Sequence, residues 1–255
     1  MRSAVKVMTV ITMAVFSIAL TTDSFARERG SSGSYKGRSG SGGTFQRNAN
    51  RSQGSINKST TWQNERGQES REVQRNWDKE TKSGAYSSTK TRADGKAVSR
   101  QGTVSKNEDG SFSQQGTITG PKGKTTDVSR STTKNEDGSR GVQTTYTGQD
   151  GKTATVDKTI THQDGTRSVS GSYETSTGKT GTFTGQKVKS DGNIVSDRSI
   201  INQDGKIWSQ HAEVDKDGNV ITRDVTNTNP EGESKSFTQS VTVDEQSQPE
   251  NSGNQ

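Results

Sequence analysis

Apolar and polar residues alternate along most of the chain with a period of two. In the segments 117–119 and 145–147, a single apolar residue stands between two threonines. Successive side chains of a strand point to opposite faces, so this alternation predicts β-strands. We expect each strand to have one weakly apolar face and one face of Thr, Ser, Lys and Asp.

The apolar positions line up from one predicted strand to the next. One column holds Ile118, Tyr146, Tyr173 and Ile200, and another holds Val128, Val156, Phe183 and Phe237. Columns that recur in this way indicate a structural repeat. Basic residues interrupt the apolar pattern at Arg140, Arg167, Lys187 and Lys235. We therefore expect a thin hydrophobic core.

Glycine-containing turns separate the predicted strands. The turn Lys-Asn-Glu-Asp-Gly-Ser occurs at residues 106–111 and again at 134–139, 28 residues later. Asp-Gly is a strong hairpin signal because glycine readily adopts the positive φ of a tight turn. We expect three-residue loops with a bulge. Two kinds of turn alternate, so the repeat unit is a pair of strands spanning about 27 residues.

These patterns predict an all-β protein, either an antiparallel meander or a β-solenoid-like array of hairpin repeats, with a disordered N-terminal arm and C-terminal tail. Only 22% of the residues are hydrophobic. Burial of so few apolar groups offsets little of the entropy lost on folding, so a largely disordered chain is the alternative. The chain has no cysteine, which excludes disulfides and thiolate metal sites.

Residues 1–26 have the features of a secretory signal peptide. Basic residues at positions 2 and 6 precede an apolar run over residues 7–20, and small residues occupy positions 24 and 26. This order is typical of a signal that is cleaved, here after Ala26. We expect an exported protein of the periplasm, the cell surface or the extracellular space, with no transmembrane span after signal cleavage.

The rest of the chain divides by composition. Residues 27–58 are rich in Gly, Ser and Arg, which predicts a basic disordered arm. Residues 59–92 predict an imperfect first hairpin, 93–243 the β-hairpin repeat region, and 244–255 a disordered tail. The arm is either a solvated spacer or a contact for a polyanion such as a cell-envelope polymer or extracellular nucleic acid. The residues that would make this contact are Arg27, Arg29, Lys36, Arg38, Arg47, Arg51 and Lys58.

The sequence gives little indication of catalysis. The chain contains 2 histidines, His162 and His211, which occupy different positions in their repeat units. Neither is accompanied by the nucleophile, base and acid spacing of a hydrolytic site. We expect a non-enzymatic protein without a cofactor.

One stretch has the ligand spacing of an EF-hand calcium loop. Glu213, Asp215, Asp217 and Asp224 fall at oxygen-ligand positions, and Gly218 falls at the sharp turn. Glu at the first position and Asp at the last depart from the pattern, and the flanking segments are strand-like. These departures favour an ordinary hairpin turn. The alternative is an EF-hand loop, which would bind calcium as a cofactor.

The function that these observations favour is structural or adhesive, in a secreted or envelope-associated β-repeat protein. The alternative is a polyanion-binding module that uses the basic arm. A formal net charge of +6 is compatible with this alternative.

Overall fold

The described residues form a closed antiparallel β-barrel. The computed structural model describes residues 30–36, 42–52, 54–191 and 193–243. In this part of the chain no helix is long and apolar enough to cross a membrane. The same residues form sixteen strands: β1 (Gly30–Lys36), β2 (Gly42–Ser52), β3 (Ser55–Asn64), β4 (Gly67–Arg75), β5 (Ser83–Thr91), β6 (Ala97–Lys106), β7 (Phe112–Thr119), β8 (Thr125–Lys134), β9 (Arg140–Gly148), β10 (Thr153–Gln163), β11 (Thr166–Thr175), β12 (Thr180–Ser190), β13 (Asn193–Asn202), β14 (Ile207–Asp217), β15 (Val220–Thr228) and β16 (Ser234–Val243).

Each strand pairs with its neighbours in the chain, and β1 pairs with β16 to close the sheet. In this closing seam Gly33 lies opposite Val243, and Tyr35 lies opposite Val241. The all-β meander that the alternating turns predict is confirmed, and the solenoid alternative is wrong. The seam pairs residues 33–36 of β1 with residues 240–243 of β16, which closes the ring at that end of β16.

The sheet begins earlier in the chain than the sequence predicts. β1, β2 and the start of β3 lie within residues 27–58, so the prediction of a disordered arm is wrong for these residues. The physical reason is the partner that each strand finds: Phe45 lies opposite Trp62 on β3 and Gly33 on β1. The predicted first hairpin contains β4, β5 and the end of β3. The predicted signal peptide and the tail 244–255 lie outside the described residues.

The repeated turn forms the same hydrogen-bonded loop at both of its positions. Asn107 N–H donates to the Ser111 carbonyl at 2.8 Å, and Gly110 N–H donates to the Asn107 carbonyl at 3.0 Å. Gly110 has φ of 80°, which places it in the left-handed region. Residues 134–139 repeat this geometry. The predicted three-residue loop with a glycine bulge is confirmed here, whereas the turn at Gly165 has two residues between paired strand ends.

The fully buried apolar side chains share one face of the sheet, which identifies that face as the inner surface of the barrel. The core cluster consists of Val156, Tyr173, Phe183 and Ile200, which are between 6% and 9% exposed. Tyr146 and Val169 pack against this cluster. These residues belong to β9–β13, so the tightly packed core occupies one side of the barrel.

Two of the core aromatic rings pack against glycines. A Cβ atom added at Gly171 would lie 2.6 Å from Cζ of Phe183, and one added at Gly181 would lie 2.5 Å from Cε1 of Tyr173. The missing side chains therefore leave the space that the rings occupy. Each ring rests on the wall of the barrel, which explains how a thin core still buries large aromatic groups.

Gly181→Ala is expected to lower the free energy of unfolding by about 1–3 kcal/mol, because the added methyl group overlaps both the Ile201 carbonyl oxygen and the Tyr173 ring. The matched control is Gly185→Ala on the same strand and face, where the nearest atoms would lie 3.5 Å away. This control is expected to stay within about 1 kcal/mol of the wild type. Urea unfolding of both variants measures the difference, and equal losses would contradict the close packing described at Gly181.

Candidate anion-binding site

Charge is segregated between the two faces of the barrel wall. The register of each strand pair identifies the face of every strand residue, since directly paired residues share a face. Lys158, for example, lies opposite Val142 on β9 and Gly171 on β11, which places it on the inner face. The strand cations of the inner face, identified in this way, are Arg47, Arg51, Lys58, Arg71, Arg75, Lys90, Arg100, Lys106, Arg130, Lys134, Arg140, Lys158, Arg167, Lys187, Lys189, Arg198, Lys216, Arg223 and Lys235.

Most acidic side chains of the strands lie on the outer face. Within the strands described, Glu69 is the acidic residue of the inner face, and its carboxylate lies 3.5 Å from Lys90 Nζ. The outer face carries Glu72, Asp127, Asp157, Glu174, Asp197, Glu213, Asp215, Asp217 and Asp224. Lys36 is the strand cation of the outer face. Acids and bases are therefore separated by the thickness of the sheet, and most inner cations lack a carboxylate on their own face.

Seven inner-face cations make up a lumen belt that extends from β4 to β15. Its members are Arg71, Arg100, Arg130, Lys158, Arg167, Arg198 and Arg223. Their mutual repulsion is a property of the folded state, since in the unfolded chain these charges are apart and hydrated. Concentrated charge of one sign in a partly desolvated space attracts counterions of the opposite sign.

Burial opposes the charged state of several members of the lumen belt, and repulsion from neighbouring cations adds to it at Arg71, Lys158 and Arg198. Burial, followed by repulsion from Arg100, Arg75 and Arg47, lowers the pKa of Arg71. Burial, followed by repulsion from Arg223 and Arg167, lowers the pKa of Arg198. Arginine nevertheless keeps its proton at any physiological pH. The belt therefore stays positive and carries an electrostatic cost that a bound anion would relieve.

Arg130 is a partly buried member of the lumen belt. Burial lowers its pKa, and Tyr146 and Tyr86 are the neighbours that oppose this shift. Its Nε is buried and has no hydrogen-bond partner among the described residues. A buried donor without an acceptor costs free energy unless a ligand or water supplies one. A ligand or a water molecule in the lumen would satisfy this Nε.

The residues predicted to contact a polyanion are divided by the structure. Arg47, Arg51 and Lys58 lie on the inner face of β2 and β3, so they belong to the same cationic surface as the lumen belt. Lys36 ends β1 on the outer face. The predicted contacts Arg27, Arg29 and Arg38 lie outside the described residues.

The acidic residues of the predicted calcium loop occupy two paired strands. Glu213, Asp215 and Asp217 lie along the outer face of β14, and Glu213 is directly opposite Asp224 on β15. The stretch therefore forms a β-hairpin and not the single wrapping loop of an EF-hand. Across the described chain, no group of three or more His, Cys, Asp or Glu side chains is arranged to hold a metal ion.

The two histidines lie on opposite faces of the wall. His162 is directly opposite Arg167 on the inner face, and His211 is directly opposite Asp197 on the outer face. His211 Nδ1 lies 2.6 Å from an Asp197 carboxylate oxygen, and its Nε2 lies 3.2 Å from Glu213. Two imidazoles separated by the sheet cannot act together on one substrate.

Asp197→Asn is expected to lower the pKa of His211, because the hydrogen bond to Asp197 is the main cause that raises it, followed by the bond to Glu213. A raised folded-state pKa stabilises the fold below the unfolded value, and this contribution disappears as pH rises through the folded value. NMR titration of the imidazole measures the shift. Glu213→Gln serves as the comparison and should lower the pKa less; an unchanged His211 titration in Asp197→Asn would contradict the contact.

The inner-face cations were missed as a group by the sequence argument, although a signal for them exists. In β10 the inner face reads Ala154, Val156, Lys158 and Ile160, so the lysine shares the parity of the apolar residues. The residues that interrupt the apolar columns, Arg140, Arg167, Lys187 and Lys235, are not mere gaps. They belong to the cationic surface, and the expectation that Lys and Asp share the polar face is wrong. Comparison of the chain with protein-family models, curated proteins and solved structures finds no match.

Proposed function

We propose that this protein is an exported, non-enzymatic barrel that binds polyanions along its inner face. The observation that carries the proposal is the segregation of charge: cations crowd the inner face, and acids occupy the outer face. Segregation of this kind costs stability in the free protein. A ligand that brings negative charge into the lumen would recover that cost as binding free energy.

The chemistry of the inner face suits oxyanions. Six of the seven members of the lumen belt are arginines, whose planar guanidinium donates paired hydrogen bonds to phosphate, sulfate or carboxylate groups. Arg71, Arg75 and Arg100 remain exposed although they lie on the inner face. Side chains that keep part of their surface exposed on a concave face are accessible to a ligand and are separated by the strand spacing, which fits a chain of repeated anionic groups.

Residues 27–58 contribute to the proposed polyanion binding as part of the barrel wall, and not as a separate arm. Arg47, Arg51 and Lys58 contribute as residues of β2 and β3, within the barrel wall. Deletion of residues 27–58 would remove strands β1 and β2 and part of β3. The contribution of this segment is therefore better tested by substitution than by deletion.

The proposal is tested by fluorescence anisotropy with labelled linear polyphosphate and labelled heparin, using the full chain. We expect binding at 50 mM NaCl that weakens steeply at 300 mM, because each neutralised anion releases a counterion. A neutral dextran of similar length is the control and should not bind. Absence of polyphosphate and heparin binding at 50 mM NaCl would overturn the proposal.

A structural or adhesive role is the second proposal, and the outer face is the observation that favours it. Thr and Ser line this face on neighbouring strands, and pairs such as Thr226–Ser236 and Thr184–Ser199 lie within 2.7–2.9 Å of each other. Attachment of the protein to an envelope preparation that persists after the inner cations are neutralised would support this role. If attachment and polyanion binding are both lost, polyanion binding in the lumen is the favoured function.

A further inference from the structure

Lys158 occupies an apolar position in the middle of the inner face. It lies opposite Val142 on β9, which is 4% exposed, and opposite Gly171 on β11, which has no side chain. Val156 and Ile160, its neighbours on the same face of β10, are each 7% exposed. The aliphatic stem of Lys158 is therefore surrounded by buried apolar groups.

The remaining space beside Lys158 is taken by an aromatic ring. A Cβ atom at Gly171 would lie 2.8 Å from Cβ of Lys158 and 2.6 Å from Cζ of Phe183. The glycine thus brings the lysine stem and the ring together across β11. This packing holds the base of the lysine stem against the barrel wall.

The charged groups that face Lys158 are cations. Arg130 on β8 and Arg167 on β11 are the neighbours whose repulsion acts on its amine. The strands β8–β12 carry no acidic residue on their inner face, since Asp127, Asp157 and Glu174 point outward. Burial, followed by Arg130 and Arg167, lowers the pKa of Lys158 to about 8. A substantial fraction of the amine is then neutral at physiological pH, unlike that of an exposed lysine.

We propose that Lys158 is a nucleophilic amine that forms a Schiff base with an aldehyde carrying an anionic group, which Arg130 and Arg167 hold. A buried lysine beside other cations is a recognised arrangement for an amine nucleophile. The buried Nε of Arg130, without a partner among the described residues, supplies a donor for the anion. Phosphate, sulfate and carboxylate share the chemistry that these donors recognise.

The reaction balances without a further reactant. The neutral amine of Lys158 attacks the carbonyl carbon, the amine loses its protons to the departing oxygen, and water leaves as the C=N bond forms. No electron transfer takes place. The reaction requires the cationic inner face but not binding of a polymer, so this proposal and the proposed function can fail separately.

The test treats the full-length protein at pH 7 with pyridoxal 5′-phosphate, followed by borohydride, which reduces the imine to a stable secondary amine. Peptide mass spectrometry then gives the labelled fraction of each lysine. We expect Lys158 to be labelled at least about tenfold faster than Lys152, an exposed lysine paired with Asp150. Pyridoxal, which lacks the phosphate, should label Lys158 at least about fivefold more slowly.

Two variants separate the roles of the residues. Arg130→Gln should reduce labelling of Lys158, because it removes an anion contact and a cation that disfavours the protonated amine. Lys158→Arg should abolish the fast label, because arginine keeps its charge and offers no neutral amine. Uniform labelling of all lysines, or equal labelling of Lys158 by pyridoxal and its phosphate, would overturn the proposal. Circular dichroism melts of both variants verify that the barrel is intact.

Discussion

Simultaneous replacement of Arg71, Arg100, Arg130 and Arg198 by glutamine is expected to weaken polyphosphate binding at least about hundredfold, since charge-assisted hydrogen bonds contribute about 1.5–3 kcal/mol each. The slope of log K against log salt should become shallower by about three, because fewer counterions are released. The same variant should unfold at an equal or higher temperature than the wild type. This combination arises because burial opposes the charges of Arg71, Arg130 and Arg198, and neighbouring cations add repulsion at Arg71 and Arg198.

The matched control removes the same number of positive charges from the turns. Lys96, Lys124, Lys152 and Lys179 follow turn glycines at one rim of the barrel and are exposed. Their replacement by glutamine changes net charge by the same amount, yet it should reduce affinity by less than about tenfold. Anisotropy titrations and thermal melts of both variants provide the comparison. Equal losses of affinity would show that net charge, and not the inner face, governs binding.

Polyphosphate affinity is expected to fall above pH 8 by up to about tenfold per pH unit, through the titration of Lys158. In the free protein this lysine loses its proton at about pH 8. A bound anion offsets the repulsion from Arg130 and Arg167, which raises the pKa of Lys158, so binding takes up a proton in this pH range. Affinity therefore reaches its highest value below pH 8 and declines as the free protein deprotonates.

The stability of the free protein should change in the opposite direction. The folded-state pKa of Lys158 lies below its ordinary value of 10.5, so the unfolded chain binds more protons between these two values. The free energy of unfolding therefore rises with pH across this window.

The proton uptake on polyphosphate binding is measured by titration calorimetry in two buffers of different ionisation enthalpy. Lys158→Arg is the control, and a pH dependence of affinity that survives this substitution would assign the titration to another group.

The local features of the fold were predictable from the sequence because they depend on near neighbours. Hairpin pairing follows from the Asp-Gly turns and the alternation of side chains, and the turn at Lys106–Ser111 forms as expected. The closing seam was not predictable in this way. Gly33 and Val243 meet only because all the intervening strands accumulate enough curvature, and no local pattern encodes that contact.

The candidate site shows a different limit. A classification of residues as apolar or polar places Lys158 with Asp157, although consecutive strand residues face opposite sides. If basic and acidic residues are assigned separately to the two faces, by odd or even position along each strand, Lys158 and Arg198 fall with the valines and isoleucines. The sequence alone does not show which face of the sheet is concave, because that depends on the closing seam between β1 and β16.

The pairing of β1 with β16 makes the fold a ring in which the order of the hairpins has no obligatory beginning. Joining the chain ends with a short linker and opening a new pair of ends at an exposed turn, such as residues 149–152, would keep every strand beside its present neighbours. For the natural chain the consequence concerns timing. The last strand must emerge before the first can find its partner, so the ring is completed only after synthesis of β16 has ended.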